Sequence, residues 1–516
     1  MVPGLLFFCP QVAAQRPQIA GKSFTQKADE KDLIDSRQQE WYRIEFDGKG
    51  IGHESLSTVT VSSGGHGRIS PTTLVRRIRD TRLKLRRFGT DFSVSAHLET
   101  TESPDGILQS WSLRRSGADG SSLERTGVWI PEKSAFELTE KVDGTSHREL
   151  LPSPGQPRSA IFPAWLASAS SDSDKLWTSA VLFPETAAIV DMEIRREGGQ
   201  SLQLANGKRI AVTRFDYWPT NSPEMKSSIF YDEQHSVLRI EQPLAGQILR
   251  LERTDAANAL GQESMESLDL QFSSVLPLKR QLPNLQSSSS LRLRISVAAL
   301  EQISLPTSDF QSVEQTIGNE LVVTLTRPAI PENENAQAVS PTRKNQIDPV
   351  FTSASRWLTC DDEDIKRMGI IAAGATSIPQ DKCQRLTRHV WKHMRLSPFS
   401  TSLQPASGII KTMRGDCTEH AVLLSTLIRS QGIPSRVVVG FVNVTNPASY
   451  APHMWTEALL NGKWIPFDST RGPAGVGLTH IKVTDSTLSD EVGSGTVLFV
   501  PLLSFLGRAT VDLALD

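Results

Sequence analysis

The reactive residue types of this chain gather in one stretch. Cys417 follows the turn-forming run Arg414-Gly415-Asp416 and heads Thr418-Glu419-His420-Ala421-Val422-Leu423-Leu424, whose apolar positions suit a helix that Gly432 and Pro434 would end. Asp416 is a suitable N-cap, and the unpaired amides of a helix's first turn create positive potential around the sulfur. Such placement favours thiolate, as does a nearby imidazolium, and the same amides can hold an oxyanion. The chemistry this offers is nucleophilic attack on a carbonyl.

Such a thiol needs a base. Arg436 to Val442 reads as a continuous apolar strand for the middle of a sheet, and after it comes His453-Met454-Trp455-Thr456-Glu457-Ala458-Leu459-Leu460, then Asn461-Gly462, then Lys463-Trp464-Ile465-Pro466-Phe467-Asp468-Ser469-Thr470. Asn-Gly between two strand-like runs predicts a two-residue hairpin loop. If Leu460 faces Lys463, Trp455 faces Asp468 and His453 faces Thr470. Side chains alternate faces, so His453 and Asp468 share one side as diagonal neighbours, with backbones about 7–8 Å apart. A bulge at Pro466 would break that register, and the missing amide of Pro466 favours a bulge or an edge strand there.

Plainer readings stand beside these. A lone cysteine in a helix is usually a small buried hydrophobe. His420, three positions after Cys417, suits a structural role better than that of a second base. Cys417, Glu419, His420, His453 and His480 are all zinc-ligand types, but their spacing fits neither a closed zinc site nor the two-histidine helix of metalloproteases. No acidic loop resembles a calcium site. Trp455 and Trp464 share the His453 face. Trp455 is the nearer and the better candidate for a substrate wall, and Glu457 reads as a structural partner.

The rest of the chain must position this stretch. At 516 residues, several domains are expected. The 55 basic and 57 acidic residues leave a formal charge of −2, which provides no general field for nucleic acid or an anionic membrane. No stretch reaches the 18 or so apolar residues of a membrane span. Residues 1–14 read as a signal peptide with a cleavage site at Val12-Ala13-Ala14, or else as a buried first element, since a basic start is missing. The first alternative predicts export to the periplasm or cell envelope, and the second a cytoplasmic protein. Residues 30–285 alternate apolar and polar positions, as at Leu83, Leu85, Val94, Ala96 and Leu98. The turns Asp105-Gly106, Asp143-Gly144 and Asn206-Gly207 predict an antiparallel β domain, barrel or sandwich, of one or two subdomains. Short helices are expected at Ala160–Ser168 and around Ala187. Residues 286–328 form a strand-rich connecting segment and 329–349 a Pro/Asn-rich linker. Helical spacing then runs from Asp361 to Gly374 and from Pro379 to Met394, opening a domain at 350–485, and 486–516 are a buried C-terminal element. With the leader removed, three cysteines remain. Cys360 and Cys383 either pair in an oxidising compartment or are two inert buried thiols.

Six ordered blocks give the segment from about Pro349 to His480 a family likeness. They are Phe399-Ser400-Thr401, Arg414 to His420, Gly432 to Val438, His453-x-Trp455-x-Glu457, Trp464-x-Pro466-x-Asp468-x-Thr470 and Thr479 to Lys482. The segment resembles the transglutaminase-like superfamily, in the microbial branch of the papain-like thiol enzymes. The resemblance covers about a quarter of the chain and implies a cysteine-bearing helix packed on an antiparallel sheet carrying histidine and aspartate. Ser469 stands where that family often has proline. The expected fold is thus multidomain α+β, a large antiparallel β N-terminal region followed by a transglutaminase-like α+β catalytic domain. The expected triad is Cys417, His453 and Asp468, without cofactor or metal. Gln404 is the nearest upstream amide that could complete an oxyanion hole. Protein or peptide amides would be the substrate, with an amine or water as acceptor, so transglutaminase, deamidase and peptidase all remain open. A second reading is a binding or scaffold protein of the cell envelope that keeps the fold with little turnover.

Overall fold

The structure is a computed structural model. It describes residues 38–514 except 47, 63–72, 88–89, 117–121, 143–144, 161–175, 206, 221–222, 245–246, 262–266, 270–274, 298–303, 316–319, 328–347, 397–402, 446–447, 473–475 and 491–497. The leader, the Asp143-Gly144 turn, Asn206, nearly all of the linker, all of Ala160–Ser168 but Ala160, and the Phe399-Ser400-Thr401 block therefore lie outside the described residues. The chain divides into two compact units, one of Met1–Leu85 with Asp91–Leu268 and one of Asp269–Asp516 with Arg86–Thr90.

The first unit is the large antiparallel β region. Strands from Gln38–Phe46 to Thr145–Pro152 lie side by side in chain order, and so do those from Leu176–Phe183 to Gln247–Thr254. The two runs join where Gln38–Phe46 pairs with Gln247–Thr254. At the far end Arg158–Ser159 adds in parallel to Leu176–Phe183, and Arg158 also bridges Ile107, so the sheet curls back on itself. Alternation explains the core, with Leu83, Leu85, Val94, Leu98, Leu113 and Phe136 buried. Arg77, Arg79 and Thr81 have the parity of Leu83 and are buried with them. The two arginines find carboxylates, Arg77 with Glu102 and Arg79 with Glu185, while Arg125 pairs with Glu140. Removing one partner of such a buried pair costs about 3–5 kcal/mol, because the other charge stays out of water. Ala187 lies not in a helix but in the turn after Phe183, with Thr186 N–H donating to the Phe183 carbonyl at 3.2 Å and φ of 50° at Ala187.

The second unit contains strands β1 (Ser290–Val297), β2 (Gln311–Gln315), β3 (Glu320–Thr326), β4 (Ser435–Thr445), β5 (Ala448–Leu460), β6 (Lys463–Phe467), β7 (His480–Ser486) and β8 (Ala509–Leu513). Its main helices are α1 (Glu363–Ala373), α2 (Pro379–His393), α3 (Ala406–Thr412) and α4 (Cys417–Ser430). The strand-rich segment forms a sheet ordered β2-β3-β1-β8, completed by a strand from the C-terminal element. Within that element Leu498, Leu502, Phe505 and Leu506 are buried, and the Phe505 ring meets Phe441 edge-on at 5.8 Å.

Helix starts follow local chemistry. Asp362 caps α1 by accepting from the amides of Asp364 and Ile365, and Pro379 opens α2, where its missing N–H costs nothing. Helix α4 is buried continuously from Thr418 to Arg429, as a helix packed on all sides must be. Its Leu423, Leu424, Leu427 and Ile428 each contribute about 1.5–3 kcal/mol by burial. On one side it meets β5, where Thr456 Oγ1 donates to the Ala421 carbonyl at 3.0 Å. Near its C-terminus it meets α1 at Gly369, where a Cβ would come within 2.4 Å of Ser430 Oγ. Strand β4 lies between β5 and β7, and β6 pairs with β5 at the edge. Cys360 and Cys383 are free buried thiols, not a disulfide. No helix among the described residues is long and apolar enough to cross a membrane.

Candidate active site

The hairpin predicted from Asn461-Gly462 forms, with positive φ at both residues (52° and 79°) and the register running from Leu460↔Lys463 to Thr456↔Phe467. Pro466 pairs with Glu457 without a bulge, its missing amide tolerated because β6 is an edge strand. The ladder stops at Phe467, just short of Asp468. The parity persists beyond it, and His453 Nε2 lies 2.8 Å from Asp468 Oδ2, both groups buried.

Asp468 is fully occupied. Its Oδ1 accepts from the amide of Thr470 at 2.8 Å and from the Thr470 hydroxyl at 2.6 Å. Its Oδ2 takes His453 and, at 3.1 Å, Nε2 of His480. Thr479 Oγ1 lies 3.1 Å from His480 Nδ1. Burial holds His480 below the ordinary histidine range despite Asp468. A neutral His480 therefore donates from Nε2 to the carboxylate and accepts from Thr479 at Nδ1. Two imidazoles and Thr470 thus orient one carboxylate, a role for His480 and Thr470 that the sequence reading did not assign. His480 arrives on β7, whose register against β4 shifts between Val439 and Gly440. At Gly440 a Cβ would lie 2.0 Å from the Ile481 carbonyl oxygen and 2.8 Å from the Trp455 ring, so the close approach of β7 requires glycine there.

His453 behaves differently from its neighbours. Burial alone would lower its pKa, but the Asp468 charge and the hydrogen-bonded Cys417 sulfur outweigh it and raise the imidazole to about 10. Asp468 is held well below the usual carboxylate range, with His453 and His480 overcoming its burial. His453 Nε2 is committed to Asp468, which leaves Nδ1 for the sulfur.

Cys417 is half-buried as the first residue of α4, behind a complete capping box. Asp416 accepts from the amide of Thr418 at 2.9 Å and from that of Glu419, while the Glu419 carboxylate accepts from the Asp416 amide at 2.9 Å. This refines the expectation from helix placement. Two buried carboxylates already occupy the positive end of α4. The amides of Thr418, Glu419 and His420 are all taken within that turn, by the Asp416 side chain and carbonyl. At Gly415 a Cβ would lie 2.3 Å from Glu419 Cβ, so the box closes only over glycine.

The remaining candidates separate by burial. His420 donates from Nδ1 to the Asp416 carbonyl at 2.8 Å and is held neutral by burial, consistent with a structural role. Trp455, expected as a substrate wall, is only 3% exposed. It stacks on His453 with centroids 6.3 Å apart and meets His480 edge-on at 5.2 Å, so it backs both imidazoles. Trp464 packs against Phe351 at 4.9 Å, with the Arg436 guanidinium 4.1 Å from its ring centroid. Glu457 accepts from Arg436 at 2.8 Å and Lys482 at 2.9 Å, a buried structural network. Gln404 is half-buried just before α3 and engaged in an interaction of its own. Other apolar groups are exposed. Leu396, 65% exposed, pairs through its backbone with Gly415, and the exposed Trp391 lies beside Gly472. Of the zinc-ligand types, His453 and His480 meet on Asp468, and the ligand atoms of these three lie within 4.8 Å of one another.

Residues 370–469 match the family model of the transglutaminase-like superfamily, so this part of the chain is transglutaminase-like. No curated protein matches the chain. Among solved structures, a candidate cysteine protease from Cytophaga hutchinsonii aligns at 16% identity and a TM-score of 0.30, over 46% of this chain and 82% of that one. The periplasmic domain of TgpA from Pseudomonas aeruginosa aligns at 16% identity and 0.25, over 38% and 82%. A β-barrel-like protein from Brucella abortus aligns at 9% identity and 0.29, over 43% and 98%.

Proposed function

We propose that this chain is a thiol-dependent acyl-transfer enzyme acting on protein or peptide amides, with Cys417 as nucleophile, His453 as proton carrier and Asp468 as the group that orients it. The observation that carries the reading is the placement of His453, whose Nε2 meets Asp468 Oδ2 at 2.8 Å and whose ring also bonds the Cys417 sulfur; both neighbours raise its pKa, to about 10. At neutral pH the imidazole's proton is available for a leaving group.

Sulfur attacks the carbonyl carbon of an amide, and the carbonyl oxygen becomes an oxyanion facing the Cys417 amide. As the tetrahedral intermediate collapses, the C–N bond breaks and His453 gives its proton to the departing nitrogen, leaving a thioester. A second nucleophile, an amine or water, then attacks the thioester carbon and loses a proton to His453, and the thiolate leaves. Amine gives a crosslink and water gives hydrolysis.

The test is incubation of the full chain with a peptide library and a labelled primary amine, read by mass. Ammonia loss, amine incorporation or backbone cleavage that disappears in Cys417→Ala supports the reading. Product formation by that variant at the wild-type rate, or no product from the wild type with any peptide, refutes it.

A further inference from the structure

We propose that the β unit carries a binding groove for an acidic oligosaccharide. The groove has a volume of about 660 Å³ and lies on one face of six consecutive strands. The register places Trp41 opposite Ser55 and Ser55 opposite Asp80. Farther along, His97 sits opposite Arg114 and Arg114 opposite Glu124. Asp80 and His97 close the row with a 2.7 Å hydrogen bond. Five strand spacings make it about 24 Å long, the reach of an oligomer rather than of a single ring.

Three features choose the ligand. Trp41 is half-buried at one end, 6.2 Å from the His53 ring, and offers an indole against which the apolar face of a sugar can lie. Along the rest of the groove hydroxyl, imidazole, carboxylate and guanidinium groups alternate, and Ser95 and Ser116 are already bonded at 2.7 Å. This lining suits a polyhydroxylated chain. All six strands are paired on both sides, so no strand edge is free for a peptide backbone to extend the sheet.

The charge balance sets the sign. Asp80 is taken by His97, and Glu124 has Lys141 at 4.0 Å. The exposed Arg82 and Arg114 have no ion-pair partner among the described residues. Two guanidiniums outside any described ion pair, on the same face as an aromatic platform, fit a sugar bearing carboxylates, which a guanidinium can bind through two parallel hydrogen bonds.

The test is calorimetric titration of the full chain with oligogalacturonate and with a glucuronate-containing oligosaccharide, each beside its neutral methyl ester. The acidic forms should bind, with affinity falling as salt rises, and the esters should bind at least tenfold more weakly. The double variant Arg82→Gln/Arg114→Gln, both positions on the surface, should lose at least tenfold in affinity with unchanged thermal unfolding. Trp41→Ala should lose a similar factor, with Trp41→Phe restoring part of it. Failure of both acidic oligomers to bind, equal binding of the esters, or unaltered affinity in the double variant would overturn the proposal. Equal binding of poly-glutamate would overturn the choice of a sugar.

Discussion

Replacing Asp468 by Asn tests the site at its centre. The carboxylate receives four donors on two oxygens, His453 and His480 on Oδ2 and the amide and hydroxyl of Thr470 on Oδ1. An asparagine has one acceptor oxygen, and its NH2 group must face two of these donors. Each unsatisfied buried donor costs about 1–3 kcal/mol, so about 2–6 kcal/mol of unfolding free energy is lost, or roughly 4–24 °C in the transition that unfolds this unit. The charge is lost as well, and the His453 titration should fall from about 10 towards or below 6.5, since its burial remains. By the 1.36 kcal/mol of each pH unit, the preference at stake is on the order of 5 kcal/mol, shared between Asp468 and the sulfur. The folded pKa of His453 is raised, so its contribution to stability is complete below 6.5 and fades as pH rises through about 10. That of Asp468 is depressed, so its contribution is present above 3.8 and fades as pH falls through the folded value. The stability gap between wild type and Asp468→Asn should therefore be widest between 3.8 and 6.5 and narrow on either side. Denaturant unfolding across that range, with NMR titration of the His453 ring, reads both effects. A variant as stable as the wild type at pH 6, with His453 still titrating near 10, would refute the reasoning.

Three further outcomes are expected. Brief iodoacetamide treatment of the native protein should label Cys417 well ahead of Cys383 and Cys360, because Cys383 is fully buried with its thiol pushed up to about 12 and Cys360 is buried and raised likewise. Peptide mapping that finds either of them labelled as fast as Cys417 contradicts an activated sulfur. Glu457→Gln leaves Arg436 and Lys482 short of their shared carboxylate and should cost about 3 kcal/mol in chemical denaturation, the lower end for a buried pair because Asp485 still meets both. Gly440→Ala should destabilise by about 1–3 kcal/mol and slow Cys417 labelling, since its Cβ pushes on the Ile481 carbonyl next to His480 and on the Trp455 ring that packs on both imidazoles. Wild-type labelling in that variant would show that Trp455 packing is irrelevant to the thiol.

Much of the site was legible because it is local. A two-residue loop at Asn461-Gly462 fixes the pairing of β5 and β6, and period-two alternation then carries His453 and Asp468 to one side. Asp416 and Gly415 announce the start of α4 in the same way, through capping and close approach. The part of His480 was not legible. Its distance from Asp468 depends on a register shift between β4 and β7, a property of two strands far apart in sequence that no short pattern encodes. The burial of Trp455 has the same origin, since the indole is enclosed by residues from β4 and β7 as well as by its own hairpin. In the β unit, alternation located Leu83 and Leu85. It also placed Arg77 and Arg79 on the inner side, and Glu102 meets Arg77 from the next strand, but nothing local announced Glu185, which reaches Arg79 from a turn 106 positions away.

The pairing of β8 with β1 bears on how the chain is made. Arg280 and Asp512, ion-paired at 2.6 Å beside this junction, lie 232 positions apart. A ribosome adding about 5–20 residues per second needs roughly 12–46 s to span that interval. Throughout it, one side of β1 is an unpatched edge able to recruit a strand from any nascent neighbour. Arg292 and Arg294 alternate along β1 with the buried Leu291, Leu293 and Ile295, so the waiting strand carries two cations. Charged side chains along such an edge discourage wrong pairing until the proper partner emerges, even with Glu314 and Glu320 beside them at 3.9 and 3.6 Å.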